Sequence, residues 1–407
     1  MPDKKVKKIL IFSLAYYPNF VGGAEVALKE ITDRVSPEEF EFHMITLQFD
    51  SRLPRTERVG NVIVHRIGFS RSAPLIDDLQ RFPLFLNKYW YQFMAARKAA
   101  VLHRQYQFNG IWAMMAHSSG VPAALFKIFH PKVPYVLTLQ EGDPLEYIEQ
   151  LARPVWPLFS RAFTSANMVV AESTFLGRWA RRRGFTGSLE VIPNGMDAAR
   201  FARVPSEDEL EALRAKLGKR EGETWLIHTG RLVHKNALDT VILALSHLTD
   251  SVHFFMIGDG PDKNALVALA DKLGVSARIH FHPYVPLEDI PNYLKVCDIF
   301  IRPSRSEGMG NSFIEAMAAE LPVIATQEGG IADFLFDAKR NPDKETTGWA
   351  VDKDSSEQVA TAVQDIIANQ EQTKKVVATA RQFALDKFDW DIIVKDMREK
   401  VFARVLK

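Results

Sequence analysis

Cysteine is nearly absent: one residue, Cys297, in a chain of 407. A single thiol excludes an intramolecular disulfide and a cysteine-based metal cluster, and it fits a reducing compartment. Lying in the apolar run Val296 to Ile301, it reads as a packed thiol and not as a nucleophile. Long hydrophobic runs are missing as well. No segment approaches the roughly 20 apolar residues that span a bilayer, so the chain reads as soluble or peripheral. The basic start MPDKKVKK leads into the apolar stretch Ile9 to Ala15 and then Tyr16-Tyr17-Pro18, with no small-residue cleavage site. That stretch reads as a first strand, not a signal peptide, and a cytoplasmic location is expected. Excess charge is also missing: 51 Lys plus Arg face 50 Asp plus Glu, and a net charge of +1 gives no global reason to bind nucleic acid. Low-complexity tracts and short-period repeats do not occur.

What is present is globular. The composition, 47% hydrophobic and 25% charged, supports a large core, and the length suggests two domains. Short apolar runs alternate with amphipathic stretches such as Ala24–Arg34 and Leu84–Gln105. The runs Ile9–Leu14, Phe42–Leu47, Val62–Arg66, Ile111–Met114, Tyr135–Leu139, Met168–Ala171 and Glu190–Ile192 read as strands. Strands of this length with helices between them predict parallel sheets and a doubly wound α/β domain. After Ile192-Pro193-Asn194-Gly195-Met196-Asp197 a polar stretch, Ser206 to Glu223, precedes a second series: Trp225–Thr229, Val252–Ile257, Arg278–Phe281, Ile299–Ile301, Pro322–Thr326 and Trp349–Val351. The expected division is 1–197, 198–383, and a tail 384–407 that packs back on the first domain.

The most informative segment runs Ser304-Arg305-Ser306-Glu307-Gly308-Met309-Gly310-Asn311-Ser312-Phe313-Ile314-Glu315, after a strand and into a helix. Glycines let a ligand approach the backbone, and free N–H groups at a helix start favour an anion. Such a segment is a diphosphate cradle. Glu315, a turn inside the helix, can accept from a vicinal diol such as a ribose, and Glu307 points to what lies beyond the phosphates. Taken singly, each carboxylate could equally be a dipole-complementing or solvated charge. The combination argues otherwise.

Glu307 and Glu315 with Gly308 and Gly310 between them resemble the Glu-seven-Glu signature of retaining glycosyltransferases of the large family 4. Thr229-Gly230-Arg231-Leu232-Val233-His234-Lys235-Asn236 resembles the family's Gly-Arg-Leu segment, with Asn236 where a glycine is usual. Ile257-Gly258-Asp259-Gly260-Pro261, the interdomain Pro193-Asn194-Gly195 and Gly22-Gly23-Ala24-Glu25 match in the right order. The resemblance implies the glycosyltransferase B architecture: two facing Rossmann-like domains, the active site in the cleft, and a UDP- or GDP-sugar held by the C-terminal one. It implies retention of anomeric configuration, no metal and no cofactor. Arg231 and Lys235 would grip the diphosphate, and Glu307 the transferred sugar. Gly22 and Gly23 would face the donor, with Gly308, Met309, Gly310, Asn311, Ser312, Phe313 and Glu315 binding it. Glu25 could simply be a first-turn carboxylate. Base recognition is expected along the backbone near Tyr284-Val285.

On the acceptor side, where the family often has a histidine, this chain has Gln140, which can position a hydroxyl but cannot be a base. Asp143 could accept from a hydroxyl or belong to an ordinary turn, and His117 is a plausible cleft residue or a structural histidine. The acceptor would be a glycan, a lipid-linked sugar or a small molecule. A non-catalytic nucleotide-sugar binder, or an epimerase or phosphorylase on the same scaffold, are the alternatives.

Other signals are weaker. Gly258-Asp259-Gly260 lacks the third glycine of a dinucleotide site, which argues against NAD. Asp352-Lys353-Asp354 and Asp389-Trp390-Asp391 mimic a metal-binding Asp-x-Asp but read as turn and cap residues. His228, His234, His280 and His282 form no zinc pattern. The basic run Gly177–Arg183 and the aromatic stretch Phe82–Phe93 fit either peripheral attachment to an anionic membrane face or a solvated helix face.

Overall fold

The computed structural model describes residues 6–19, 21–74, 78–79, 81–203 and 205–406; the first five residues of the basic amino terminus lie outside them. Two compact units emerge, residues 1–194 with 390–407, and residues 195–389.

The N-terminal unit is built on β1 (Lys7–Phe12), β2 (Phe40–Leu47), β3 (Thr56–Val59), β4 (Val62–Ile67), β5 (Gly110–Met114), β6 (Tyr135–Leu139), β7 (Met168–Ala171) and β8 (Ser188–Val191). Their order is β3-β4-β2-β1-β5-β6-β7-β8. The sheet is parallel except at its edge, where β3 pairs antiparallel with β4 across Gly60-Asn61. The parallel sheet expected from the sequence is present, with this one antiparallel edge strand added to it. Thr56–Val59 is polar and alternately exposed, so no apolar run marks it, although a Gly-Asn pair before Val62 is a hairpin signal. Apolar residues cover both faces of the inner strands because helices pack on both sides. One face carries Phe12, Leu137 and Val169 against helices Asn87–Tyr106, Val121–Phe129 and Trp156–Thr164; the other carries Ile11, Phe42 and Trp112 against helix Gly23–Arg34 and the carboxyl-terminal segment.

That segment joins the first unit by its own helical stripe: Trp390, Ile393, Val394, Met397 and Val401 are buried with β2 and β5. The Phe402 ring lies 5.5 Å from Phe40 and 5.4 Å from Trp112. The change of unit falls at 389/390, not at 383/384, because Ala384 and Phe388 pack in the core of the second unit with Phe313 and Phe334. Likewise the first crossing falls after Asn194. Beyond it, Met196 N donates to Phe388 O at 2.7 Å, which ties the two connecting strands together.

The C-terminal unit contains β9 (Thr224–Thr229), β10 (Val252–Ile257), β11 (Ile279–His282), β12 (Ile299–Arg302), β13 (Val323–Ala325) and β14 (Trp349–Ala350), in the order β11-β10-β9-β12-β13-β14. Every pairing in it is parallel. The strand order reverses between β9 and β12, and ligands of open α/β sheets bind beyond the carboxyl ends of the strands at such a switch point. In the first unit the same reversal falls between β1 and β5. Gly258 shows how tightly the loops there are packed: a Cβ on it would lie 2.1 Å from Gly230 O. The Gly-Asp-Gly turn thus serves backbone packing, and Leu232 N donates across it to Asp259 O at 3.0 Å.

Candidate active site

At the switch point of the C-terminal unit the chain leaves β9 through Gly230-Arg231 and leaves β12 through Pro303 to Gly310. Arg302, the last residue of β12, is buried, and its guanidinium lies over the Phe313 ring at 4.1 Å. Its Nη2 stands 3.1 Å from Glu307 Oε2, while Lys235 Nζ approaches Glu307 Oε1 at 3.7 Å. Two cations therefore converge on one buried carboxylate, which also accepts from Gly308 N at 3.2 Å. The Glu307 backbone is fixed from behind by Gly330 N, which donates to Glu307 O at 3.1 Å.

Gly310 begins helix Asn311–Ala318 with φ +89, and a Cβ there would lie 2.5 Å from Arg302 Nη2 and 2.7 Å from the Phe313 ring. Glycine is required on both counts. The backbone N–H groups of Asn311 and Ser312 lie in the first turn of this helix, where N–H groups lack intrahelical partners and an anion is favoured. Met309 and Phe313 are buried side chains, and Phe313 N already donates to Gly310 O at 3.2 Å; these two shape the cradle from beneath. Glu315 is half-buried, and its carboxyl is pushed above the usual range by desolvation, against the pull of Arg200 and Arg302.

Arg231 is exposed, and the loop behind it is held firmly. Asn236 is buried and its Nδ2 donates to Arg231 O at 2.7 Å, a bond that a glycine could not make. Arg305 clasps three segments: Nη1 donates to His234 O at 2.7 Å, Nη2 meets Asp239 at 2.8 Å, and Nε meets Asp354 at 2.6 Å. Its own N–H donates to Lys235 O at 2.7 Å. Beneath them His228 is fully buried, and burial with the nearby Arg302 charge holds its pKa down to about 3, so the ring is neutral. Buried polar atoms without a hydrogen-bond partner gather here among the described residues: Thr229 Oγ1, Ser304 Oγ, Asn236 Oδ1 and both Nε and Nη2 of Arg302. Such atoms are uncommon in a finished core and mark a site.

The Asp-x-Asp look-alikes are engaged elsewhere. Asp352 pairs with Arg340 at 2.9 Å and Asp354 with Arg305, while Asp389 Oδ2 accepts from Ala198 N at 3.3 Å. His280 Nε2 meets His253 Nδ1 at 2.9 Å and stacks on Trp225, a structural role.

In the N-terminal unit, Gly22 caps helix Gly23–Arg34, and its N–H donates to Glu25 Oε2 at 2.8 Å. Glu25 is thus a buried capping carboxylate. A Cβ on Gly23 would meet nothing within 4 Å. At the ends of β5 and β6, His117 is half-buried and bonded to the Leu151 backbone, and desolvation lowers its pKa. Gln140 Nε2 donates to Asn194 Oδ1 at 2.6 Å, and Asn194 Nδ2 to Glu172 Oε2 at 3.0 Å, with Gln140 Oε1 unpartnered. Asp143 stays exposed on the turn before helix Leu145–Ala152.

Two stretches of the chain match family models, residues 21–200 that of Glycosyltransferase Family 4 and residues 210–383 that of Glycosyl transferases group 1. The chain belongs to the group 1/family 4 glycosyltransferases. It is similar to the GDP-mannose-dependent alpha-(1-6)-phosphatidylinositol monomannoside mannosyltransferase of Mycolicibacterium smegmatis, 30% identical over 232 residues, 53% of this chain and 58% of that protein. It is also similar to the putative teichuronic acid biosynthesis glycosyltransferase TuaC of Bacillus subtilis, 33% identical over 226 residues, 55% and 54% of the two chains. The chain thus spans a little over half the length of these two relatives. Among solved structures it resembles sucrose-phosphate synthase of Thermosynechococcus elongatus, with a TM-score of 0.80, 19% identity and coverage of 98% and 100%. Anabaena HepE, solved with UDP and glucose, gives 0.75, 21%, 98% and 100%. These two show the glycosyltransferase B fold.

Sequence reasoning missed three residues that the family's fold brings to the sites. Arg302 ends an apolar strand, and a charge there before Pro-Ser was the available signal. Arg305 lies inside the segment Ser304 to Glu315, where no spacing marks its role. Glu141 follows Gln140, is buried, and its Oε1 accepts from Ala116 N at 2.6 Å while Oε2 has no partner. Burial pushes its pKa up to about 7. The unfolded chain releases that proton near 4.3, so the native state holds it longer and loses stability as pH rises from there through 7, by roughly 3 kcal/mol in all. Glu141→Gln, which cannot ionise, is expected to melt higher than wild type at about pH 8 and nearly equal to it at about pH 5. Melting curves at the two pH values check this; a difference independent of pH would refute it.

Proposed function

We propose that this chain transfers a sugar from a UDP- or GDP-sugar to an acceptor hydroxyl with retention of configuration and without a metal ion. One observation carries the reading: at the β9/β12 switch point Lys235 and Arg302 converge on Glu307 beside the start of a helix, a cation-rich cradle for a diphosphate. Support comes from the Mycolicibacterium relative, which is named for GDP-mannose, and from Anabaena HepE, whose structure holds UDP and glucose.

In this reading the diphosphate lies on the N–H groups of Asn311 and Ser312 with Arg231 and Lys235 against its oxygens. Glu315 takes the ribose hydroxyls and Glu307 those of the sugar. The acceptor oxygen bonds to the anomeric carbon on the face from which the diphosphate leaves. The bond from that carbon to the phosphate oxygen breaks with its electron pair, and the departing oxygen takes the acceptor proton. No protein nucleophile is needed; the residues orient the reactants and stabilise the leaving charge. Gln140, His117 and Asp143 would position the acceptor. The test is a proton NMR assay of the chain with α-linked UDP- and GDP-sugars, an acceptor panel and a chelator. An α-configured product is expected. A β-configured product, or consumption of donor only when magnesium is restored, would contradict it, and binding without any turnover would favour the non-catalytic alternative.

A further inference from the structure

Where β5 ends, the backbone leaves the ordinary regions. Met115 has φ +71 and ψ 139, a conformation that residues with a side chain rarely adopt. The chain then makes a wide turn over Ala116–Gly120, closed by Gly120 N, which donates five residues back to Met115 O at 2.9 Å. Turns of this width are rare and frequently mark functional sites. Ala116, Ser119 and Gly120 are buried, and a Cβ on Gly120 would lie 3.0 Å from the Ala162 Cβ of helix Trp156–Thr164. His117 rides on this turn, half-buried and bonded to the Leu151 backbone.

Strain of this kind persists only where the surroundings impose it. Met115 N stays on the sheet ladder and donates to Thr138 O at 2.8 Å. The next N–H, that of Ala116, has left the ladder, and its acceptor is a side chain: Glu141 Oε1, 2.6 Å away on the segment after β6. Glu141 is 5% exposed, too buried to touch an acceptor itself, so it acts through what it holds. A neutral amide could accept the same bond without burying a carboxyl. Burial instead pushes the Glu141 pKa up to about 7, against the pull of the backbone N–H groups of Ala116, Gln140 and Glu141 itself. Its charge thus weakens the fold at neutral pH and above, and the needs of the core do not explain it. The adjoining Gln140 is fixed as well, since its Nε2 donates to Asn194 Oδ1 at 2.6 Å. One carboxyl therefore joins the strand ends that carry two of the acceptor-side candidates.

We propose that Glu141 is a positioning residue for the acceptor, clamping the end of β5 to the end of β6 so that the strained turn holds His117 in place. The proposal rests on the transferase reading, in which these strand ends receive the acceptor. Without the clamp Met115 relaxes to an ordinary φ, the turn opens, and His117 moves toward water.

The experiment is NMR titration of the His117 ring in the full chain, its signal identified with His117→Asn, for wild type, Glu141→Ala and Glu141→Gln. UDP and GDP are titrated into the same proteins. In wild type burial holds the His117 pKa below the ordinary histidine value of about 6.5. Glu141→Ala is expected to raise it toward that value. Glu141→Gln removes the same charge but keeps an oxygen for Ala116 N, and is expected to leave it low. Nucleotide affinity is expected to be equal in all three, because the donor groups belong to the other unit. With an acceptor that the wild type glycosylates, Glu141→Ala is expected to lower kcat/KM about 10- to 100-fold, mostly through KM, and Glu141→Gln to recover most of it. Glu141→Asp, one methylene short of Ala116 N, replaces Glu141→Ala if that variant does not fold, with shifts in the same direction. A His117 titration that Glu141→Ala leaves unchanged, or that Glu141→Gln shifts as far, would overturn the proposal. So would unchanged acceptor kinetics in Glu141→Ala. Failure of the wild type to bind UDP or GDP would instead contradict the transferase reading, and the histidine titration would still decide the clamp.

Discussion

Lys235→Ala is expected to lower kcat/KM for sugar transfer by about 100- to 1,000-fold, the usual cost of removing one preorganised group from a developing negative charge. The loop is built to hold this ammonium in place before substrate arrives. Its carbonyl accepts from Arg305 N at 2.7 Å, Arg305 in turn holds His234 O, and the Nζ stands 3.7 Å from Glu307 Oε1. Such a group needs no reorganisation at the moment of reaction. Because Glu307 keeps the closer Arg302, 3.1 Å away against 3.7 Å for Lys235, the loss of Lys235 is expected to lower the melting temperature less than the loss of Arg302, which separates the catalytic effect from a folding defect. Lys235→Arg is expected to recover activity only partly, since a planar fork does not replace a point charge on a short loop. Steady-state rates with saturating acceptor check the prediction, and a variant within threefold of wild type would refute it.

The second large effect is on stability. Arg302→Leu leaves the buried Glu307 facing only Lys235, and breaking a buried pair from one side costs about 3–5 kcal/mol. For a unit of this size that corresponds to a fall in melting temperature on the order of 10 °C. The pair is not fully satisfied even in the native protein, because neither Nε nor Nη2 of Arg302 has a hydrogen-bond partner and the two residues meet as an ion pair alone. Replacing both residues, Arg302→Leu with Glu307→Leu, is therefore expected to restore part of the lost stability while activity stays absent. Thermal melts of wild type, both single variants and the double variant close the cycle. Additive losses in that cycle would show that the pair is not coupled as its 3.1 Å separation indicates.

The same contrast explains what the sequence disclosed. Strands such as Tyr135–Leu139 and Val252–Ile257 are buried on both faces, so they stand out as unbroken apolar runs, and their alternation with helices announces a parallel sheet. The edge strand Thr56–Val59 has one partner and a solvent face, so its residues are polar and the run disappears. Glu307, Gly310 and Glu315 were legible because the family's signature fixes these residue types at these spacings. The roles of Arg302, Arg305 and Asn236 were not: Arg305 reaches Asp354, 49 residues on, while Asn236 and Arg302 bond within irregular loops, to the Arg231 carbonyl and to Glu307, five residues away in each case. Chain neighbours leave no periodic trace of such contacts. The unit boundary illustrates the same limit, since residues 384–389 are assigned to the second core by tertiary packing, such as that of Phe388 against Phe334, 6.3 Å apart.

On the proposed function, the C-terminal unit holds a nucleoside diphosphate at the β9/β12 switch point. Calorimetric titration of UDP, GDP and their sugars into wild type and Glu315→Ala, with a chelator present, tests it most directly. One nucleotide class is expected to bind the wild type without metal, and the variant, which loses the diol contact of a half-buried carboxylate, to bind at least tenfold more weakly. Equal affinity in both proteins, or no binding of either class, would contradict it.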